Sequence, residues 1–173
     1  MSNLNQLTPF ISIIIPTYNR PKQLATCLES LTKLDYPRDS FEVIVVDDGS
    51  KTQLESVVNP FSGQLDITLI RQINNGAASA RNTGAKQAKG QFIAFTDDDC
   101  MPSADWLRAI AARFKNAPES LIGGRTINIL SNNIFSTASQ HLIDYVYKYY
   151  NANPHKANLC FSLQKFKLIK LII

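Results

Sequence analysis

Apolar, largely β-branched residues run from 10 to 15 and stop at Pro16, and a second such run, 41–46, stops at Asp47-Asp48-Gly49-Ser50. Both are too short for a typical helix and predict buried strands. Residues 66–70 and 91–96 predict a third and a fourth strand, the fourth stopping at Asp97. Between strands the period changes. Leu24, Cys27, Leu28, Leu31 and Leu34 recur at helical spacing behind Pro21, a residue suited to a first helical turn. Residues 77–88 and 104–115 also predict helices, and 52–58 carries a fainter helical pattern. Strands separated by helical segments predict an α/β fold, a mostly parallel sheet with helices on its faces.

In such a sheet, ligands sit outside the carboxyl ends of the strands, where the connecting loops meet. The unusual polar clusters all follow strands: Thr17-Tyr18-Asn19 the first, Asp47-Asp48 the second, Asn74-Asn75-Gly76 the third and Asp97-Asp98-Asp99 the fourth. They should therefore gather along one edge. After Pro118 the pattern loosens. Residues 121–130 predict a strand interrupted by Gly123-Gly124, and 134–150 a helix with Ile134, Leu142, Val146 and Tyr149 on its apolar side. Residues 159–173 follow neither period and predict no element. The expected organisation is one domain over 1–153 and an irregular basic and apolar tail over 154–173.

Charge changes little in this picture. The net charge of +4 suggests a nucleic-acid partner until it is located along the chain. With Lys156, Lys165, Lys167 and Lys170 of the tail set aside, 14 basic residues face 14 acidic ones. No phosphate-backbone partner is expected of such a neutral body. The three cysteines, Cys27, Cys100 and Cys160, form no C-x-x-C pair and no His/Cys cluster, which argues against a zinc site and a disulfide-stapled secreted fold and favours a reducing, cytoplasmic setting. No signal peptide and no apolar run long enough to span a bilayer is visible.

Three adjacent carboxylates behind a hydrophobic strand repel one another and resist burial, so something positive should offset them. Alternate side chains in the turn can point the same way, which would let Asp97 and Asp99 share an oxygen-lined site for Mg²⁺ or Mn²⁺. The plainer alternative is an acidic turn capping the helix that begins near Pro102. Asp47-Asp48-Gly49-Ser50 is either a turn and helix cap or a carboxylate accepting a hydrogen bond from a nucleobase N–H. In 74–84 small residues would admit an anionic ligand to a helix start, with Arg81 projecting toward it; the alternative is an alanine-rich helix packed on the sheet. Tyr18 is either part of an N-cap segment or a stacking face for a base. No P-loop and no Ser/His/Asp or Cys/His arrangement occurs.

The ordered set Ile14-Ile15-Pro16-Thr17-Tyr18-Asn19-Arg20, Val45-Val46-Asp47-Asp48-Gly49-Ser50, Asn75-Gly76 through Ala80-Arg81-Asn82 to Gly84, Phe95-Thr96-Asp97-Asp98-Asp99-Cys100 and Asp105-Trp106-Leu107 resembles family 2 glycosyltransferases of the GT-A fold. The resemblance covers about residues 10–125. It implies a nucleotide-diphosphate-sugar donor, most often a UDP-sugar, a divalent cation, an inverting transfer, and a saccharide or lipid-linked glycan as acceptor. By position, Pro16, Thr17, Tyr18 and Asn19 would line the base pocket, Asp47 or Asp48 would recognise the base, and Gly76 and Arg81 would support it. Asp97 and Asp98 would lie along the donor, and Asp97 and Asp99 would hold the cation. The family pattern also implies a later acidic pair supplying the catalytic base, whereas downstream of Asp105 this sequence has only Glu119 and Asp144. The expectation is a GT-A-like domain with an incomplete acceptor half, its tail either a truncation scar or a contact with the inner face of a membrane.

Overall fold

The computed structural model describes residues 8–116, 127–129, 132–151 and 170–172. They form two compact units, one holding residues 8–116 and 170–172 and the other the described part of 124–168. In the first unit, strand β1 (Ile11–Thr17), helix α1 (Pro21–Leu31), β2 (Phe41–Asp47), the single turn α2 (Glu55–Val58), β3 (Ile67–Arg71), α3 (Ala77–Gln87), β4 (Phe92–Phe95), α4 (Trp106–Asn116) and β5 (Lys170–Ile172) follow in chain order. All strand pairs are parallel, in the order β3-β2-β1-β4-β5. This is the parallel, helix-flanked sheet of a GT-A (Rossmann-like) fold, as the alternating pattern predicts.

Residues of β1 and β2 are buried throughout, because helices cover both faces of the sheet. Ile11, Ile13 and Ile15 join Val43 and Val45 on one face, against Leu24 and Leu28 of α1 and Leu107 and Phe114 of α4. Ile14, Ile44 and Val46 point to the other face and meet Ala80 and Ala85 of α3. The small residues of α3 have a physical cause. A Cβ on Gly84 would stand 2.6 Å from the Ile14 side chain, so the helix lies too close to the sheet for anything larger.

The first four predicted strands are present with ends shifted by at most two residues. The faint 52–58 pattern yields only the short α2, which passes into a 3-10 turn over Asn59–Phe61 that contains Pro60. Trp106 starts α4 two residues later than predicted; Ala104 is instead tied through its carbonyl to Asp35 N (2.7 Å). In the second unit α5 (Ile134–Asn151) bears out the late helix, with Asn133 Oδ1 accepting from Phe135 N and Ser136 N at its start. The predicted strand over 121–130 falls mainly outside the described residues, whose members 127–129 form no strand. Of the tail, only Lys170–Ile172 is described, and it adds β5 beside β4 where the sequence predicted no element. Among the described residues no helix is long and apolar enough to cross a membrane.

Candidate functional site at the carboxyl edge of the sheet

The strand order reverses direction between β1 and β4, the place where a parallel sheet opens a crevice. Pairing of β1 with β4 ends at Ile14↔Phe95, whereas pairing of β1 with β2 continues to Thr17↔Asp47. Pro16, which has no N–H to give to a ladder, therefore lies beyond the last β4 partner. The gap leads into a cavity of about 510 Å³. Pro16, Thr17, Tyr18, Arg20, Asp48, Asn74, Gly76, Ala77, Arg81, Asp97, Asp98 and Asp99 line it. The four polar clusters that follow the strands thus share one hollow.

The loops around the cavity are fixed by short polar contacts. Asn19 adopts the left-handed conformation (φ 56°), and its side-chain Oδ1 accepts from Lys51 N (2.8 Å) while its own N–H donates to Ser50 Oγ (2.8 Å). It ties the loop after β1 to the loop after β2 and does not line the cavity. Asp47 is also outside the lining. Its buried carboxylate accepts from Ser50 N (2.8 Å), closing the turn, and lies 3.8 Å from Arg71. Gly49 sits at φ 83°, and a Cβ there would come within 2.9 Å of Asn74 N.

Asp48 is buried but faces the cavity. Oδ1 accepts from Gln72 Nε2 (2.7 Å) and Asn75 N (2.9 Å), and Oδ2 accepts from Gly76 N (2.8 Å). A carboxylate offers about four acceptor positions, so one remains on the Oδ2 side. The same bonds hold the residues before α3, where Gly76 (φ 88°) is the N-cap and has open space where a Cβ would be. The middle of the alanine-rich helix packs on the sheet, and its start borders the cavity through Gly76 and Ala77.

The triple aspartate divides by exposure. Asp98 is buried, accepting from Thr17 Oγ1 (2.7 Å) and Arg20 Nη1 (3.2 Å). Asp97 and Asp99 are each more than half exposed. Asp97 accepts from Arg81, and Asp99 from Arg20 Nη1 (3.0 Å). The positive groups that offset the aspartates are these two arginines. Hydrogen bonding to Asp98, reinforced by its charge, raises the Arg20 pKa further above its ordinary value. Beneath the turn, Cys27 Sγ–H points at the Asp97 carbonyl (3.7 Å), and burial pushes this thiol up to about 12.

Arg20, Asn74 and Ala77 are cavity-lining residues that the sequence analysis did not single out as site residues. A signal for Arg20 was available: a cation three residues beyond one strand end is a natural counter-charge for acids at the neighbouring strand end.

Among the described residues no three His, Cys, Asp or Glu side chains gather as a ready metal cage. Small divalent cations commonly take only one or two protein carboxylates, completing their shell with phosphate oxygens and water. Asp97 and Asp99, two exposed carboxylates on one turn, fit that smaller demand.

Fold and crevice together define an α/β domain built to receive a ligand at the switch point of its sheet. The profile described as Glycosyl transferase family 2 matches residues 12–170, and the chain belongs to this family. It is 37% identical over 118 residues to glycosyltransferase AglE of Haloferax volcanii, a match spanning 67% of this chain and 39% of that protein. The crystal structure of Staphylococcus aureus TarS 1-349 in complex with UDP-GlcNAc superposes with a TM-score of 0.62 at 31% identity, over 70% of this chain and 38% of that one. Mannosyltransferase PcManGT from Pyrobaculum calidifontis, in complex with GDP-Man and Mn²⁺, gives 0.57 at 32% identity over 66% and 34%. The chain therefore corresponds to well under half the length of these relatives.

Proposed function

We propose that the carboxyl-edge cavity binds the nucleotide diphosphate of a sugar donor, a UDP-sugar, together with Mg²⁺ or Mn²⁺, for inverting transfer to an acceptor hydroxyl. The observation that carries this reading is the convergence of Tyr18, Asp48, Arg81 and the Asp97–Asp99 turn on one hollow in a family 2 chain. Tyr18 is 45% exposed there, offering a ring face on which a base can stack. Of the two adjacent aspartates, Asp48 would accept a base N–H, a reading supported by its place in the cavity lining, which Asp47 does not share. Thr17 and Pro16 would wall the base, and Asn19 and Asp47 would act by holding the loops that carry Tyr18 and Asp48. Gly76 and Ala77 leave room at the start of α3, whose free N–H groups favour a phosphate. Asp97 and Asp99 would hold the cation, with Asp98 anchoring their turn to Thr17. When bound, the cation would stabilise negative charge on the diphosphate leaving group.

A second reading, donor binding without transfer, rests on the cavity lining itself, which draws its donor-side groups from residues 16–99. Calorimetric titration with UDP, GDP and UDP-sugars, with and without Mn²⁺, tests the donor site. The expected result is Mn²⁺-dependent binding of UDP that is lost in Asp99→Ala. Binding of neither nucleotide under any condition would overturn the proposal, and a transfer assay on the same protein separates its two forms.

A further inference from the structure

The guanidinium of Arg20 occupies an unusual position among the cavity walls. A single nitrogen, Nη1, reaches both the buried Asp98 (3.2 Å) and the exposed Asp99 (3.0 Å). Asp98 has a second partner in Thr17, so it keeps a hydrogen bond that does not depend on Arg20. Asp99, by contrast, has no other charged partner among the ion pairs of the described residues. The side chain of Arg20 is 51% exposed, and it lines the cavity. Four carboxylates and two guanidiniums line the hollow, Asp48 and Asp97–Asp99 against Arg20 and Arg81, which leaves it two charges short of neutral.

The geometry points to Arg20 as a resident counter-ion that holds Asp99 in the absence of a divalent cation and must yield that carboxylate when the cation arrives. This inference rests on the donor and cation reading above, and assigns to that site a positioning residue that makes cation loading conditional on the nucleotide. Alone, a cation has to displace the guanidinium from Asp99 and then sit close to a like charge. With a diphosphate present, two further negative charges and several phosphate oxygens enter the same hollow. The guanidinium can then remain on Asp98 or turn to the phosphates, and the penalty disappears. Arg20 would thereby keep the cavity from filling with metal in the absence of donor.

The test uses the full 173-residue chain and Mn²⁺ as the probe, with free Mn²⁺ followed by electron paramagnetic resonance, first alone and then with UDP. Removing one half-exposed competitor and its repulsion should let Arg20→Gln bind Mn²⁺ alone about tenfold more tightly than wild type. Arg20→Lys keeps a positive partner for the buried Asp98 but lacks the planar fork, so it should fold and show a gain of about threefold. With UDP present the gain should vanish or reverse in both variants. A merely structural role for Arg20 would weaken Mn²⁺ binding or leave it unchanged, never tighten it. If both variants bind Mn²⁺ alone no more tightly than wild type while wild type takes it up with UDP, the counter-ion role is overturned and the cation site stands. If wild type takes up Mn²⁺ neither alone nor with UDP, the cation site falls and this inference with it.

Discussion

The two edges of the sheet both bury acids; among the described residues the carboxyl edge opens on a cavity, whereas the amino edge is closely packed around Glu42. At the amino edge Glu42 is buried in β2, accepting from Ser12 Oγ (2.7 Å) and Lys89 N (2.7 Å), with Lys89 Nζ at 3.3 Å. Gly90 N donates to the same Ser12 hydroxyl oxygen (2.8 Å), and a Cβ on Gly90 would stand only 2.5 Å from Ser12 N. Nothing fits between these groups. At the carboxyl edge Asp48 and Asp98 are equally buried and equally well bonded, yet they border a hollow of about 510 Å³. The contrast teaches that a buried carboxylate does not by itself mark a site. What separates the two edges is space, produced on one side by early divergence of β1 and β4 and filled on the other by backbone.

Substitutions can break that contrast. The largest effect is expected from Gly90→Ala, which forces a methyl onto the β1 backbone and should cost about 3 kcal/mol in urea unfolding. Glu42→Gln comes next, at about 2 kcal/mol, because Ser12 and Lys89 N lose a charged acceptor. Both should leave UDP affinity intact once unfolded protein is accounted for; a loss of affinity in the folded fraction would show that the amino edge shapes the cavity. Asp48→Asn sharpens the comparison from the other side. Two backbone N–H groups would face an amide in place of a carboxylate, for a loss of about 1 kcal/mol in stability and about tenfold in UDP binding.

A smaller effect comes from pH. Burial raises the Cys27 thiol from 9.0 to about 12, so above its unfolded value the unfolded chain sheds a proton that the folded chain keeps. Stability is therefore full below pH 9 and declines as pH rises toward 12, by about 1 kcal/mol between pH 8 and 10. Cys27→Ala should flatten that part of the slope, measured by thermal melts across pH. Tyr36, also pushed up to about 12 by burial, adds to the decline only above its ordinary value of 10.0. Smallest of all is Lys33→Ala at the exposed Glu29–Lys33 pair, for which no measurable change in melting temperature is expected.

Much of the fold was legible because β-branched runs and helical spacing alternate cleanly up to residue 116. Polar clusters after each strand pointed to a meeting at one edge, and the register of the parallel sheet brings them there. Asp47 and Asp48 show where sequence stopped. Adjacent identical residues gave no hint of which would close the turn and which would face the cavity, because only the bond from Ser50 N to Asp47 decides it. Something positive was expected beside the triple aspartate, but Arg20 and Arg81 come from two different connections that only tertiary structure brings to the same turn. Glu42 and Ser12 were hidden inside runs read as apolar, since a polar residue satisfied by a neighbouring strand leaves no trace in periodicity.

The lateral alignment of β1 with β2 has a genetic corollary. Seven residues of one lie level with seven of the other, from Ile11↔Phe41 to Thr17↔Asp47. One codon gained or lost inside either stretch would slide a rim residue by about 3.3 Å and turn its side chain to the opposite face. Natural length variation should therefore be confined to the returning segment 32–40, which can lengthen or shorten without disturbing the height at which Thr17 and Asp48 emerge.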